Sequence, residues 1–223
     1  MNPDKIKRDV EHGLDSAEIA SPMNPPEPYE LDNQPEIVYA DLAKPLQILY
    51  DEHQAFEKVL NAFEKALIKF KEGQFVIDDS VSKGFRDFFE YMDQEILKHN
   101  TKEEKFFFPL LNERLIEAGE CSPGLNPTTS IDIMEDDHRQ VMQASCLIFN
   151  LLGIAAKLPD PKSQEIVFNN AFEQGREVVE TMRLHIYKEN NVLFSEAQKL
   201  ITSEEFDVMY KGMIKIEGAN FEV

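Results

Sequence analysis

Basic residues are scarce in this chain. Its 223 residues include 23 lysines and arginines against 42 aspartates and glutamates, a net charge of −19 with histidine neutral. Nucleic acid and anionic lipid are bound mainly by pairing lysine and arginine with phosphate, so a surface this acidic argues against both as partners. Cysteine is scarcer still. Cys121 and Cys146 are too few and too far apart for a disulfide framework or a thiolate zinc site, as expected in a reducing compartment. Long apolar runs are also missing. The longest uncharged one, Cys146 to Ala156, is too short to cross a bilayer, and the N-terminal stretch MNPDKIKRDVEHGLDS lacks the apolar core of a secretion signal. These absences predict a soluble, cytoplasmic protein.

What is present fits a folded core: 42% of residues are hydrophobic and 29% charged, and the length suits one or two domains. Seven of the twelve prolines fall in residues 1–45. Proline at that density cannot continue a helix, so residues 1–40 read as an extended or disordered arm, with His12 exposed, ahead of a folded domain over 41–223.

Beyond residue 45 apolar positions recur at alternating spacings of three and four, the helical period. Four stripes result. The first holds Leu49, His53, Phe56, Leu60, Phe63, Leu67 and Phe70; the second Phe85, Phe89, Met92, Ile96, His99, Glu103, Phe106 and Leu110, with Pro109 expected to bend it. The third holds Ile131, Met134, His138, Val141, Ser145, Ile148, Leu152 and Ala155; the fourth Ala171, Gly175, Val178, Met182, His185, Glu189 and Val192. Breakers separate them at KEGQ, AGECSPGLNP and LPDP, and TSEE at 202–205 has the form of a capping box for a short last helix. The expected fold is all-α, an up-down-up-down four-helix bundle with an N-terminal extension and a short C-terminal helix.

The chain repeats itself. His53 and His138 stand 85 positions apart; His99 and His185, Glu103 and Glu189, and Phe108 and Phe194 each stand 86 apart. The shared text is H-x-x-K-E-x-x-x-x-F.

Four histidines and two glutamates thus lie on core stripes. A buried carboxylate is costly unless it is paired or bound to metal. No lysine or arginine shares these stripes, so the partner is either histidinium or a metal ion. Each His-x-x-x-Glu pair projects from one helix face, roughly 6 Å apart along the axis, and the hairpin lengths bring all six groups to one layer. Mixed nitrogen and oxygen ligands in a bundle interior suit paired iron or manganese ions with bridging carboxylates. Zinc stays open, though closed zinc sites usually take four ligands. The alternative is a metal-free network of histidine and glutamate.

The order His53, His99-x-x-x-Glu103, His138, His185-x-x-x-Glu189 resembles the hemerythrin-like HHE cation-binding proteins, over roughly residues 41–200. That resemblance implies a non-haem centre of two iron ions, oxo or hydroxo bridged, with manganese as the other metal. It assigns His53, His99, Glu103, His138, His185 and Glu189 as metal ligands, with Glu103 and Glu189 bridging. Oxygen-carrying hemerythrins use five histidines, with an H-x-x-x-H pair on one helix. The four-histidine, two-glutamate set is closer to the iron-centre repair type. The implied function is binding of, or reaction with, a small diatomic or peroxide ligand such as oxygen or nitric oxide, in sensing or stress defence. Donation of iron to damaged iron-sulfur or di-iron centres is the alternative, and a partner-binding bundle with a relic site a third. Release of the ligand unchanged makes the protein a carrier or sensor, whereas electron transfer to it makes an enzyme. Phe56, Ile96, Val141 and Met182 are expected to line the site and exclude bulky substrates.

Neighbouring polar residues have duller readings. Glu57, four residues after His53, is expected beside the stripe or at the surface, and Tyr187 toward a neighbouring helix. Tyr50 and Glu135, each three residues before a histidine, could hydrogen-bond an imidazole or approach an open iron position; the duller reading is a helix-end residue near solvent. Asp51, Glu52, Asp136 and Asp137 read as a solvated face, and Phe106, Phe107 and Phe108 as packing.

Overall fold

A computed structural model describes residues 38–217, with the side chain of Glu217 excepted. The expected arm lies outside the described residues as far as position 37, and so does His12. A 3-10 turn at Tyr39–Asp41 leads into helix α1, Lys44–Glu72, which starts with Pro45 in its first turn, where the missing N–H costs nothing. Helix α2 spans residues 79–118 and α4 residues 161–200, each interrupted by π-helical turns. Between them runs α3, Ser130–Ala155, and α5, Ser203–Glu217, closes the described chain. No strand occurs among the described residues.

Local chemistry sets the ends. The Asp78 carboxylate accepts from the N–H groups of Ser80 and Val81 to start α2, and Asp160 accepts from Ser163 N–H to start α4. Thr129 and Asp132 form a capping box on α3. The expected box at Thr202 is present: Glu205 accepts from the Thr202 N–H (2.8 Å) and Thr202 Oγ1 from the Glu205 N–H (3.3 Å). Gly119, at φ 82°, ends α2 in the left-handed conformation that favours glycine.

The two hairpins, α1 with α2 and α3 with α4, pack through α1 against α4, and the last piece of α2 reaches α3 and the end of α4. This is the up-down-up-down bundle. Its core runs from a phenylalanine cluster (Phe63, Phe70, Phe85, Phe88, Phe168) to the layer holding the histidines. Helix α5 covers that second end, packing on α1 and on the 97–107 stretch of α2.

All seven first-stripe residues are buried, and the other stripes hold as far as Glu103 and Glu189, apart from half-buried Phe89 and Leu152. Beyond the glutamates the expectation fails by one residue. Phe107, Phe108, Leu111 and Leu115 are buried in place of Phe106 and Leu110, and Leu193, Phe194 and Ala197 in place of Val192. The cause is a widened turn at each glutamate. Glu103–Phe107 and Glu189–Leu193 are π-helical, closed by Phe108 N–H to the Glu103 carbonyl and Phe194 N–H to the Glu189 carbonyl. One extra residue per turn rotates everything downstream by about 100°. Pro109 follows the first of these turns, but no proline follows the second, so proline is not their common cause. A third π turn, Met92–Ile96, has no counterpart in α4.

Candidate metal centre

The two widened turns sit where the bundle gathers its polar groups. His53 on α1, His99 and Glu103 on α2, His138 on α3, and His185 and Glu189 on α4 are all buried. The structure brings all six side chains together. The Nε2 atoms of His53 and His99 lie 3.2 Å apart, and those of His138 and His185 also 3.2 Å, so each hairpin turns its two imidazoles on one point. Glu103 stands between the pairs: Oε1 is 3.1 Å from His99 Nε2, and Oε2 is 3.3 Å from His138 Nε2. Glu189 reaches across as well, with Oε2 3.0 Å from His53 Nε2 and 3.5 Å from His185 Nε2. His53, His99, Glu103 and Glu189 can converge on one ion, and Glu103, His138 and His185 on another.

Three of the four outward nitrogens are occupied. His99 Nδ1 is 2.7 Å from a Glu52 oxygen, His53 Nδ1 2.8 Å from Asn190 Oδ1, and His138 Nδ1 3.1 Å from Glu104. His185 Nδ1 faces Asp137 Oδ2 at 3.6 Å, beyond hydrogen-bond range, and both atoms are buried. These oxygens only accept, so Nδ1 carries the hydrogen in the three closed contacts, and a neutral ring then aims its bare Nε2 lone pair inward. Lone pairs 3.2 Å apart, beside two carboxylates, repel unless a cation lies among them. The four oxygens of Glu103 and Glu189 are buried without a hydrogen bond. Orphaned buried anions facing imidazole lone pairs are the donor set a cation needs, so the residues fit a metal.

Protons are the competing cations. Burial pulls His99 down, but the Glu103 and Glu52 carboxylates outweigh it and raise it to about 10. His138 is likewise lowered by burial and raised, by Glu103 and Glu104, to about 9. Burial raises Glu103 in turn, yet His99 and His138 hold it well below the usual carboxylate range.

Two readings from sequence need correction. Glu52 and Asp137 are not on a solvated face: Glu52 bonds both His99 and Lys102, and Asp137 is buried behind His185. Both sit one residue before a core histidine, and that turn of helix faces the neighbouring helix rather than solvent. Neither Tyr50 nor Glu135 bonds an imidazole. Tyr50 packs on Tyr39, and Glu135 pairs with Arg139 at 3.7 Å. Asp51 and Asp136 are exposed as expected, Asp51 accepting from the Tyr39 hydroxyl. Sequence reasoning missed Glu104 and Asn190. Its available signal was the repeat itself, in which both follow a core glutamate. Phe108 and Phe194, also paired by the repeat, stack on His138 and His53 with centroids 5.6 Å and 5.9 Å apart. Phe56, Ile96, Val141 and Met182 all belong to the buried core.

A four-helix bundle with this layer of histidine and glutamate defines a cation-binding protein of the non-haem type. The sequence profile of the hemerythrin HHE cation-binding domain matches residues 44–197, and the chain belongs to that family. No protein of curated function matches it significantly. Among the described residues, no helix is long and apolar enough to cross a membrane.

Proposed function

We propose that the chain holds two iron ions through His53, His99, Glu103, His138, His185 and Glu189, and binds or reacts with a small ligand (oxygen, nitric oxide or peroxide) in sensing or stress defence. One observation carries this reading: Glu103 offers one oxygen to each histidine pair, 3.1 Å and 3.3 Å away, as a carboxylate shared by two ions must. Six mixed oxygen and nitrogen donors suit iron, with manganese as the nearest competitor. When bound, such a centre supplies open coordination positions and electrons for a diatomic or peroxide ligand. The protein's own residues do the rest. Glu52, Asn190 and Glu104 fix ring orientation and tautomer, while Phe56, Ile96, Val141 and Met182 keep bulk solvent and large molecules away. Free Cys121 and Cys146 fit a reducing cytoplasm. The acidic surface fits a small-molecule partner rather than nucleic acid or membrane.

The test is metal analysis of anaerobically purified protein, with visible spectra before and after oxygen or nitric oxide. Two irons per chain and a ligand-dependent spectrum are expected; fewer than one metal per chain overturns the proposal. Iron donation is the second reading, favoured by a small cavity that reaches His53 and His99. Rapid transfer of iron to an apo iron-sulfur protein, with no spectral response to oxygen or nitric oxide, would decide for it.

A further inference from the structure

The internal repeat makes the two hairpins near copies, so the places where they differ carry information about the two cation positions. The outer partner of His53 is the neutral amide of Asn190; the equivalent partner of His138 is the carboxylate of Glu104. Glu52 stands behind His99. The second pair is faced by two carboxylates, Glu104 and Asp137. A carboxylate behind an imidazole raises its basicity and its hold on a metal.

Access differs in the same sense. A cavity of about 30 Å³ between α1 and α2 is lined by Glu52, Phe56, Tyr91 and Ile96 and reaches both His53 and His99. Its wall includes the π turn Met92–Ile96, which α4 lacks. The equivalent groove between α3 and α4 is wider, about 250 Å³, but ends at Val141 and Thr181 with no histidine in its lining.

We propose that the two positions hold their ions unequally. The ion faced by His138 and His185 is retained, while the ion faced by His53 and His99 exchanges with solution through the cavity between α1 and α2. The inference rests on the two-ion reading above. Asn190 and Glu104 are positioning residues in it, acting through the histidines they contact.

Metal-free protein loaded with cobalt(II) and challenged with excess EDTA gives the test, read from the visible cobalt band. Two release phases of one ion each are expected. Asn190→Asp should slow the fast phase about ten-fold, and Glu104→Gln should hasten the slow phase by a similar factor. Ile96→Phe, which narrows the cavity, should slow only the fast phase; Ile96→Met serves the same purpose if the phenylalanine variant misfolds. Release of both ions in one phase, or an Asn190→Asp effect spread evenly over both phases, overturns the inequality alone. Uptake of fewer than two cobalt ions by the wild-type chain overturns the two-ion reading and this inference with it.

Discussion

Glu103 combines two properties that substitution can separate, its charge and its shape. Glu103→Gln keeps the volume and removes the anion that faces both histidine pairs. Metal content per chain should fall sharply, with one or both ions lost. The metal-free variant should melt below metal-free wild type at neutral pH, because Glu103 without metal is held by the protonated His99 and His138, whose charge an amide cannot answer. Metal analysis and thermal unfolding of chelated protein check the two halves; full retention of both ions would remove Glu103 from the site. The six side chains of the buried layer were legible in sequence because each falls on a core-facing helical stripe, where a histidine or glutamate needs a partner. Their supports were not. Glu52, Glu104, Asp137 and Asn190 lie one position off the stripe, where a polar side chain normally meets water, and only the packing of a neighbouring helix brings them up to the histidines, Glu104 while still exposed.

At the scale of elements, helix existence followed from periodicity, whereas phase did not. A π turn leaves no mark on composition, so stripes extrapolated through Glu103 and Glu189 landed one residue short of Phe107 and Leu193. The widened turns let a glutamate and, five residues later, a phenylalanine each face a histidine, a spacing that a regular helix cannot serve from one face. Close approach of α1 and α2 depends on Gly84, where an added Cβ would lie 2.5 Å from the Ala66 Cβ. Ala66 has no flexible end to yield. Gly84→Ala should therefore cost about 1–3 kcal/mol of overpacking against about 1 kcal/mol of gained helix propensity, a net loss measurable by urea denaturation. Helix α5 depends on Glu205, which caps it through Thr202 and pairs with Arg114 of α2. The Arg114 guanidinium and the Thr202 N–H hold Glu205 at about 2. A carboxylate lowered in the folded state stabilises above its ordinary pKa and loses that contribution as pH falls through the lowered one. Acidification from about pH 4.5 toward 2 should thus loosen α5 from α2, seen as faster amide exchange in 203–217 than in α1. Thr202→Ala should weaken the same helix by about 1 kcal/mol at neutral pH.

For the whole molecule, two kinds of negative charge oppose folding, and they respond to different remedies. The net −19 is mostly surface self-repulsion, which salt screens within about 10 Å at 0.1 M. Glu103 and Glu189 are buried, so mobile ions cannot reach them and only a bound cation or protons can neutralise them. Stripping the metal with a chelator should therefore lower the melting temperature by an amount that salt does not restore. With free metal at a hundred times its dissociation constant, binding contributes about 2.7 kcal/mol per site, or about 5–11 °C in a domain of this size. Calorimetry of loaded and chelated protein, each at low salt and at 0.5 M potassium chloride, separates the two contributions. Salt should raise both melting temperatures while leaving the gap between them. A gap that closes with salt would place the metal's effect on the acidic surface, and coincident melts at low salt would mean that the histidine and glutamate layer is neutralised by protons alone.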